Sequence, residues 1–186
     1  MHTKKTFIMR TLITLLTVLP FLTFAQHILF LGGKAHVGNG ESIDVSAISV
    51  KDGKLEMVAD AKIIRINPQA FDTIIHIYDH HVYPGFISTN TTLGITEISA
   101  VRATNDYRET GVFKPHVRSL IAYNAESVIT PTIRSNGVLL AQVAPKGGRI
   151  AGTSSVMKLD GWNWEDAAQK VDDGIHLNWP RYFVQT

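Results

Sequence analysis

YPGFISTNTTLG, residues 83–94, is the stretch that decides the interpretation of this chain. It begins with a proline and a glycine, continues through two apolar residues and ends in neutral polar ones. A short apolar segment bounded in this way is typical of a buried strand. Because alternate residues of a strand share a face, Ser88, Asn90 and Thr92 are predicted to lie on one face of it.

The segment before this strand, residues 26–83, predicts a small all-β unit. DVSAISVKDGKLEMVAD, residues 44–60, alternates between apolar and polar positions. Its Asp52-Gly53 pair favours a two-residue hairpin, because a type I′ turn needs positive φ at both positions. Residues 62–66 and 73–77 are rich in β-branched side chains, which predicts two further strands.

The segment after it, residues 84–186, has a different pattern. Residues 138–143 form a continuous apolar run between a glycine and a proline, which predicts a fully buried parallel strand. Residues 146–152, KGGRIAG, are predicted to form a glycine-rich loop. Residues 164–171, WEDAAQKV, predict a short helix with acidic residues in its first turn. Strands that alternate with helices imply an α/β layered fold for this half of the chain.

The first 25 residues have the pattern of a secretory signal peptide. A short basic start precedes an apolar run from Thr11 to Phe24, and small residues at Thr23 and Ala25 mark a cleavage site before Gln26. An uncleaved membrane anchor is the alternative, but a spanning helix needs about 20 apolar residues, and this run is shorter. The sequence therefore predicts an exported protein, periplasmic or secreted, that has no membrane attachment after cleavage.

Composition excludes some classes of partner and bond. The whole chain has 186 residues and a net charge of +2, but without the predicted signal peptide fifteen basic residues face sixteen acidic ones, a net charge of −1. Nucleic-acid binding usually shows as a clustered basic excess, so no nucleic-acid partner is expected. The chain has no cysteine, so its stability must come from an apolar core rather than from disulfides.

The order of these features resembles the amidohydrolase superfamily, in particular its imidazolonepropionase-like exported members. The shared features are a β unit with a Gly-Gly pair near its start, a D-G-K hairpin and a strand that reads V-Y-P-G-F-I. NGVLLAQVAPKGGRIAGTSSVMKLDGWNWEDA, residues 136–167, is similar to the family's second strand, glycine-rich loop and V-x-K-L-D-G segment. The resemblance covers roughly residues 28–180. It implies an α/β fold in which residues 26–83 are a β-sandwich portion and residues 84–186 are the first part of a (β/α)8 barrel.

The family's activity is metal-dependent hydrolysis of non-peptide C–N bonds, for which complete relatives use a divalent metal such as zinc. The family motif that follows P-G-F-I is D-x-H-x-H, and here Ser88, Asn90 and Thr92 replace its acid and its two histidines. Neutral amide and hydroxyl oxygens are poor zinc ligands beside imidazole or carboxylate. No catalytic residue, metal ligand or cofactor is therefore assigned in this chain, and Asn90 and Thr92 are degenerate metal positions.

Chain length points the same way. A (β/α)8 barrel needs about 250 residues and at least about 200, whereas 103 residues run from Pro84 to Thr186. The expectation is a fragment, the N-terminal portion of an exported amidohydrolase-like protein. A missing C-terminal part or a partner chain would complete the barrel, and the chain alone is expected to be inactive. The alternative is a pseudoenzyme, a non-catalytic binding or scaffolding subunit of the same fold.

A candidate ligand site follows residues 138–143, because such barrels place their sites at the carboxyl ends of their strands. Arg149, Thr153 and Ser154 are predicted to bind a small molecule there, with simple turn glycines as the alternative. His80 and His81 attract attention as a metal pair. Adjacent strand residues point to opposite faces, however, so this pair is not expected to chelate one ion. Four other histidines have no metal-binding spacing and are predicted to be surface or hydrogen-bonded residues: His36, His76, His116 and His176.

Overall fold

The computed structural model describes residues 26–180, which form two compact units. The first unit ends at Pro84 and the second begins at Gly85. The predicted signal peptide lies outside the described residues, and within residues 26–180 no helix is long and apolar enough to span a membrane.

The first unit consists of short strands in two sheets. One sheet has the order β5-β4-β1-β6 and the other has the order β3-β2-β7. A single 3-10 turn, Pro68–Ala70, is described before β6. The strands are β1 His27–Leu31, β2 Lys34–His36, β3 Ser42–Ile43, β4 Ser46–Lys51, β5 Lys54–Asp60, β6 Thr73–His76 and β7 His81–Val82.

The predicted hairpin between β4 and β5 is confirmed. Asp52 and Gly53 have φ angles of 53° and 71°, the left-handed values that a type I′ turn needs. The strand predicted over residues 73–77 is also confirmed, as β6, which runs parallel to β1. The strand predicted over residues 62–66 is wrong. The Asp60 carbonyl accepts the amides of Ile63 and Ile64 and holds this segment in a turn instead.

The core of the first unit is small and contains polar groups. Leu29 and Ala47 are fully buried on the neighbouring strands β1 and β4. Ser46 is buried beside them, and its hydroxyl donates to the Gly33 carbonyl at 2.7 Å. This bond satisfies a polar group that would otherwise be costly to remove from water.

The second unit contains one four-stranded sheet in the order β11-β10-β9-β8. β8 and β9 are parallel, whereas β10 is antiparallel to both β9 and β11. Two short helices accompany the sheet in the described range, α1 Ile129–Ser135 and α2 Trp164–Ala167. The strands are β8 Phe86–Thr91, β9 Val138–Val143, β10 Ile150–Lys158 and β11 Ala168–Leu177.

Four predictions for this unit need correction. The strand predicted to be buried within residues 83–94 is present as β8, but none of its residues is fully buried, and Phe86 and Ile87 are 62% and 59% exposed. The helix predicted over residues 164–171 ends at Ala167, because the chain from Ala168 onward pairs with β10 as β11. The loop predicted over residues 146–152 ends sooner, since residues 150–152 already belong to β10. The strand predicted over residues 138–143 is present as β9 and is parallel to β8. Only its Ala141 and Val143 are fully buried, however, so it is half-exposed rather than enclosed.

The predicted α/β layering is only partly present. The described residues form mixed sheets with few helices, and the start of a (β/α)8 barrel stays a prediction. One face of the four-stranded sheet packs against a core of eight buried residues, of which three lie on strands and five lie outside them. The core residues are Ile95, Leu120, Tyr123, Ala141, Val143, Met157, Leu159 and Ala167.

Candidate functional site

The position where the family motif would bind metal lies at a bulge in β8. Ser88 pairs with Ala141 and Thr91 pairs with Val143, so three steps along β8 match two steps along β9. Asn90 takes up the extra residue with a φ of +50°. Because a bulge breaks the two-residue alternation, the prediction that Ser88, Asn90 and Thr92 share one face does not hold.

The register shows which face each residue takes. Ala141 and Val143 point into the apolar core, and their partners Ser88 and Thr91 lie on that same face. Thr92 follows the last residue of β8. Of the two degenerate metal positions, Asn90 therefore lies within β8 with a left-handed backbone, and Thr92 lies just beyond the end of the strand.

A hydrogen-bonded network joins all four strands at this end of the sheet. The backbone amide of Asn90 donates to Oε1 of Gln142 at 3.2 Å. Nε2 of Gln142 in turn donates to Oδ2 of Asp173 at 2.7 Å. The Ser154 hydroxyl donates to Oδ1 of Asp173 at 2.6 Å. Both carboxylate oxygens of Asp173 thus accept a hydrogen bond. We call these four residues the Asp173 network.

An ion pair lies next to this network on the chain. Nε of Arg118 donates to Oδ1 of Asp172 at 3.0 Å, and an Arg118 terminal nitrogen lies 2.8 Å from Oδ2. The Asp172 amide donates to the Ser155 hydroxyl at 3.0 Å. The two-point contact fixes the guanidinium in one orientation, but both side chains are 40% exposed, so water weakens the pair.

The three predicted ligand-binding residues have different surroundings. Ser154 is fully buried, and its hydroxyl belongs to the Asp173 network. Thr153 is next to it on β10 and donates its amide to the Val117 carbonyl at 2.8 Å. Arg149 is exposed in the loop before β10, and its amide donates to the Val112 carbonyl. The structure brings Thr153 and Ser154 together on one strand, and the role of all three in ligand binding stays a prediction.

A cavity of about 320 Å³ opens near the same loop. Two arginines and a glutamate line it together with small residues: Arg102, Arg108, Glu109, Thr110, Gly111 and Gly148. Behind the two glycines lies the side chain of Lys114, which is 1% exposed. Its ammonium donates to the carbonyls of Glu109 and Lys146 at 3.0 and 3.4 Å.

The electrostatics of this cavity favour negative charge. Hydrogen bonds from the Thr110 amide and hydroxyl lower the pKa of Glu109, and the charges of Lys114 and Arg102 lower it further. Glu109 is therefore a carboxylate at neutral pH and offsets one of the three nearby cations. The remaining positive charge makes the cavity suited to a small anion.

The side chains at this end of the sheet are not suited to bind zinc, the metal expected in an amidohydrolase. No group of three or more histidine, cysteine, aspartate or glutamate side chains is placed to hold a metal ion anywhere in residues 26–180. Asn90 and Thr92 offer only neutral oxygens, and both oxygens of Asp173 already accept hydrogen bonds. A zinc or similar site would need imidazole or free carboxylate ligands at this point.

Gln142 and Asp173, which form the centre of the network, are not among the residues predicted from the sequence. Gln142 interrupts an otherwise apolar strand, VLLAQV, and a single polar residue in such a run is the signal that was available. Asp173 had no such signal, because the segment before it was interpreted as a helix. Only the antiparallel pairing of β10 with β11 brings its carboxylate to Ser154.

Comparison with known proteins places the fold. The chain aligns with the crystal structure of an amidohydrolase from Thermotoga maritima MSB8 at a TM-score of 0.73 and 22% identity, over 83% of this chain. The fold is amidohydrolase-like. The alignment covers 39% of the Thermotoga chain, so the present chain spans about two fifths of that protein's length. The predicted resemblance is confirmed at the level of fold, and the exported subfamily stays a prediction.

The other comparisons add no further assignment. Ochratoxinase from A. niger aligns over 44% of this chain and 18% of its own, at 16% identity. Its TM-score of 0.34 is too low to support any argument. No family model matches the sequence, and no curated protein matches it.

Proposed function

We propose that residues 26–180 are the N-terminal part of an exported amidohydrolase-like protein, and that this part is inactive by itself. The family activity would be metal-dependent hydrolysis of a non-peptide C–N bond. The fold similarity to the Thermotoga amidohydrolase supports the class of protein. The role of this part is structural: it supplies strands and loops and leaves metal binding to other residues.

The proposal that this part is inactive depends on the residues at the carboxyl end of β8. In place of two imidazoles on one strand face, the chain has a left-handed Asn90 and a threonine after the strand. The carboxylate of the network, Asp173, accepts hydrogen bonds from Gln142 and Ser154. This arrangement ties four strands together, which is a scaffolding role. It provides at most one carboxylate, too few ligands for the catalytic zinc that would lower the pKa of a bound water.

Hydrolysis would then depend on groups outside the described residues. A further segment or a partner chain would have to bring the divalent metal, zinc in the first instance, together with its histidine and carboxylate ligands. In such an assembly Asn90 and Thr92 contribute shape and hydrogen bonds. Activity of the larger assembly is a separate proposal from the inactivity of this chain.

A second candidate function is a non-catalytic binding subunit of the same fold. The cavity lined by Arg102 and Arg108, with the buried Lys114 behind it, favours this alternative. A small carboxylate or phosphate compound is the expected ligand, because guanidinium groups bind such anions in two-point contacts. Calorimetric titration with phosphate and with a dicarboxylate, repeated on Arg108→Gln, tests this alternative directly.

The decisive experiment is metal analysis of the purified chain after incubation with zinc and dialysis, paired with a hydrolysis assay on cyclic and acyclic amides. We expect no hydrolysis and the same zinc content in the wild-type chain and in Asn90→Ala. Thr92→Ala tests the other motif position in the same way, and we expect its zinc content to be unchanged as well. Zinc that is bound by the wild type and lost in Asn90→Ala, together with hydrolysis that a chelator abolishes, would show that the chain is itself an enzyme.

A further inference from the structure

Two histidines that are far apart in the sequence meet in the first unit. His36 ends β2 and His81 begins β7, and these two strands are parallel neighbours. Lys34 pairs with His81, and His36 lies two residues after Lys34. Because residues two apart on a strand share a face, His36 and His81 lie diagonally on the same face of this sheet. No local spacing in the sequence indicates this pair.

The two rings face each other through nitrogen atoms. Nε2 of His36 and Nδ1 of His81 share a hydrogen bond of 2.9 Å, in which the tautomers decide the donor, and the ring planes are 14° from parallel. Tyr83 stacks on His36 with a centroid distance of 4.3 Å and an angle of 2° between the rings. The tyrosine therefore limits the rotation of His36 and keeps its nitrogen directed at His81.

The distance between these nitrogens fits two ligands of one metal ion. With metal–nitrogen bonds of about 2.0 Å, two nitrogens at neighbouring corners of a square-planar ion lie about 2.8 Å apart, and at tetrahedral corners about 3.3 Å apart. The observed 2.9 Å is close to the square-planar value. Imidazole is a common ligand of Cu²⁺, Ni²⁺ and Zn²⁺, and square-planar geometry is typical of Cu²⁺ and Ni²⁺.

We propose that His36 and His81 form a binding site for a divalent late transition-metal ion, with Cu²⁺ the preferred ion. The metal would replace the hydrogen bond between the rings. Each neutral imidazole can carry its proton on its other ring nitrogen, so both facing nitrogens can then present lone pairs to the metal. Water completes the coordination, since within residues 26–180 no third ligand side chain joins the pair. His81 is exposed and His36 half-buried, which gives the ion access from solvent.

The surroundings of the pair do not oppose a cation. Lys34, the positive side chain opposite His81, is engaged with Asp44 at 2.9 Å. The neighbouring His80 does not compete, because its Nδ1 lies 2.8 Å from the Tyr78 carbonyl. His81 therefore has its metal-binding partner across the sheet rather than beside it in the sequence.

The test is a Cu²⁺ titration of the chain without an affinity tag, followed by electron paramagnetic resonance and metal analysis. We expect His36→Gln and His81→Gln each to lose one Cu²⁺ per chain and the nitrogen couplings that belong to it. His80→Gln is the matched control and should keep both. Cu²⁺ bound elsewhere cancels in the difference between variants. Unchanged Cu²⁺ stoichiometry in His36→Gln and His81→Gln would overturn the proposal.

A second measurement needs no variant and so does not depend on the variants folding. Diethyl pyrocarbonate modifies accessible histidines, and mass spectrometry locates the modified residues. Cu²⁺ should protect His36 and His81 in the wild-type chain while His116, which is exposed, reacts as before. Equal protection of all three histidines would contradict a specific site. We also expect Asn90→Ala to leave metal binding at this pair unchanged, which distinguishes it from any metal at the β8 end.

Discussion

The unit that ends at Pro84 and the unit that begins at Gly85 both rely on β-sheets, but they fill their cores differently. In the first, β4 and β5 follow one another through the two-residue turn at Asp52-Gly53, and the buried apolar residues all lie on strands, namely β1, β2 and β4. In the second, Leu120 and Tyr123 reach the core from segments outside the sheet. The first unit depends on strand pairing and turns, and the second on packing between distant segments.

Both units satisfy a buried serine through one backbone carbonyl: Ser46 donates to Gly33 in the first and Ser119 donates to Val143 in the second. The second unit adds the Asp173 network, which links four strands through side-chain hydrogen bonds and the Asn90 backbone amide. A linked network of this kind is costly to break at its centre, because one deletion leaves several partners unsatisfied. Mutations in the core and the network of the second unit should therefore reduce stability more than comparable mutations in the first unit.

The largest effect is expected from Leu120→Ala. Leu120 is 2% exposed and belongs to the core of the second unit, so its truncation should destabilise that unit by about 3 kcal/mol. Ile121→Ala is the matched control, because Ile121 is 58% exposed and should cost about 0.5 kcal/mol or less. Urea unfolding followed by circular dichroism measures both. Equal losses would mean that the irregular segment does not supply the core.

Gly94→Ala should cost nearly as much. Gly94 has a φ of +76°, and an added Cβ would lie 2.4 Å from the Tyr123 ring. Positive φ costs about 1 kcal/mol for a residue with a Cβ, and overpacking adds about 1–3 kcal/mol. Gly40→Ala is the control from the first unit: its φ is +95°, but nothing lies within 4 Å of the new atom. Urea midpoints should show a much smaller loss there.

The contrast between units also explains which elements the sequence predicted. The hairpin at Asp52-Gly53 and strand β6 follow from local pattern and turn chemistry, and both predictions were right. The predicted strand over residues 62–66 failed because Asp60 captures the following amides, a local bond that alternation does not register. The predicted helix over residues 164–171 failed because β10 pairs with the second half of that segment.

The candidate site was predictable only in part. The P-G-F-I pattern located the end of β8 and identified Asn90 and Thr92 as the positions where the family motif has its metal-binding histidines. It did not predict the bulge, which exists because β8 must match the register of β9, a strand about fifty residues later. Asp173 joins the site through a further pairing, between β10 and β11. Contacts that depend on two successive long-range pairings have no local signature in the sequence.

Asp173→Ala tests whether the network stabilises the second unit. Removal of the carboxylate leaves the half-buried Gln142 side-chain amide without its acceptor. The buried Ser154 hydroxyl keeps only its longer bond to the Gly174 carbonyl at 3.2 Å, and together these losses should cost about 2 kcal/mol. Asp172→Asn is the matched neighbour, because asparagine also tolerates the left-handed φ of +49° at this position. It breaks the ion pair with Arg118, whose partners are both 40% exposed, and should cost about 0.5 kcal/mol. A larger loss in Asp172→Asn, measured by urea unfolding, would assign the stabilising role to the ion pair instead.

The smallest effect should appear only in alkaline solution. Burial raises the pKa of Tyr123 above the value of about 10 that an unfolded tyrosine has. As pH rises past that value, the unfolded chain releases the phenol proton while the folded chain retains it, so the free energy of unfolding falls. Below the unfolded pKa the two states bind the same proton, and the effect is absent.

Tyr123→Phe should therefore flatten the alkaline decline in stability, whereas Tyr83→Phe, which alters a 59% exposed side chain of the first unit, should leave it unchanged. Urea midpoints across the alkaline range measure the slope for each variant. If Tyr123→Phe and the wild type lose stability in parallel, another group controls the decline. The buried tyrosine would then stabilise the second unit through apolar packing alone, as Leu120 does.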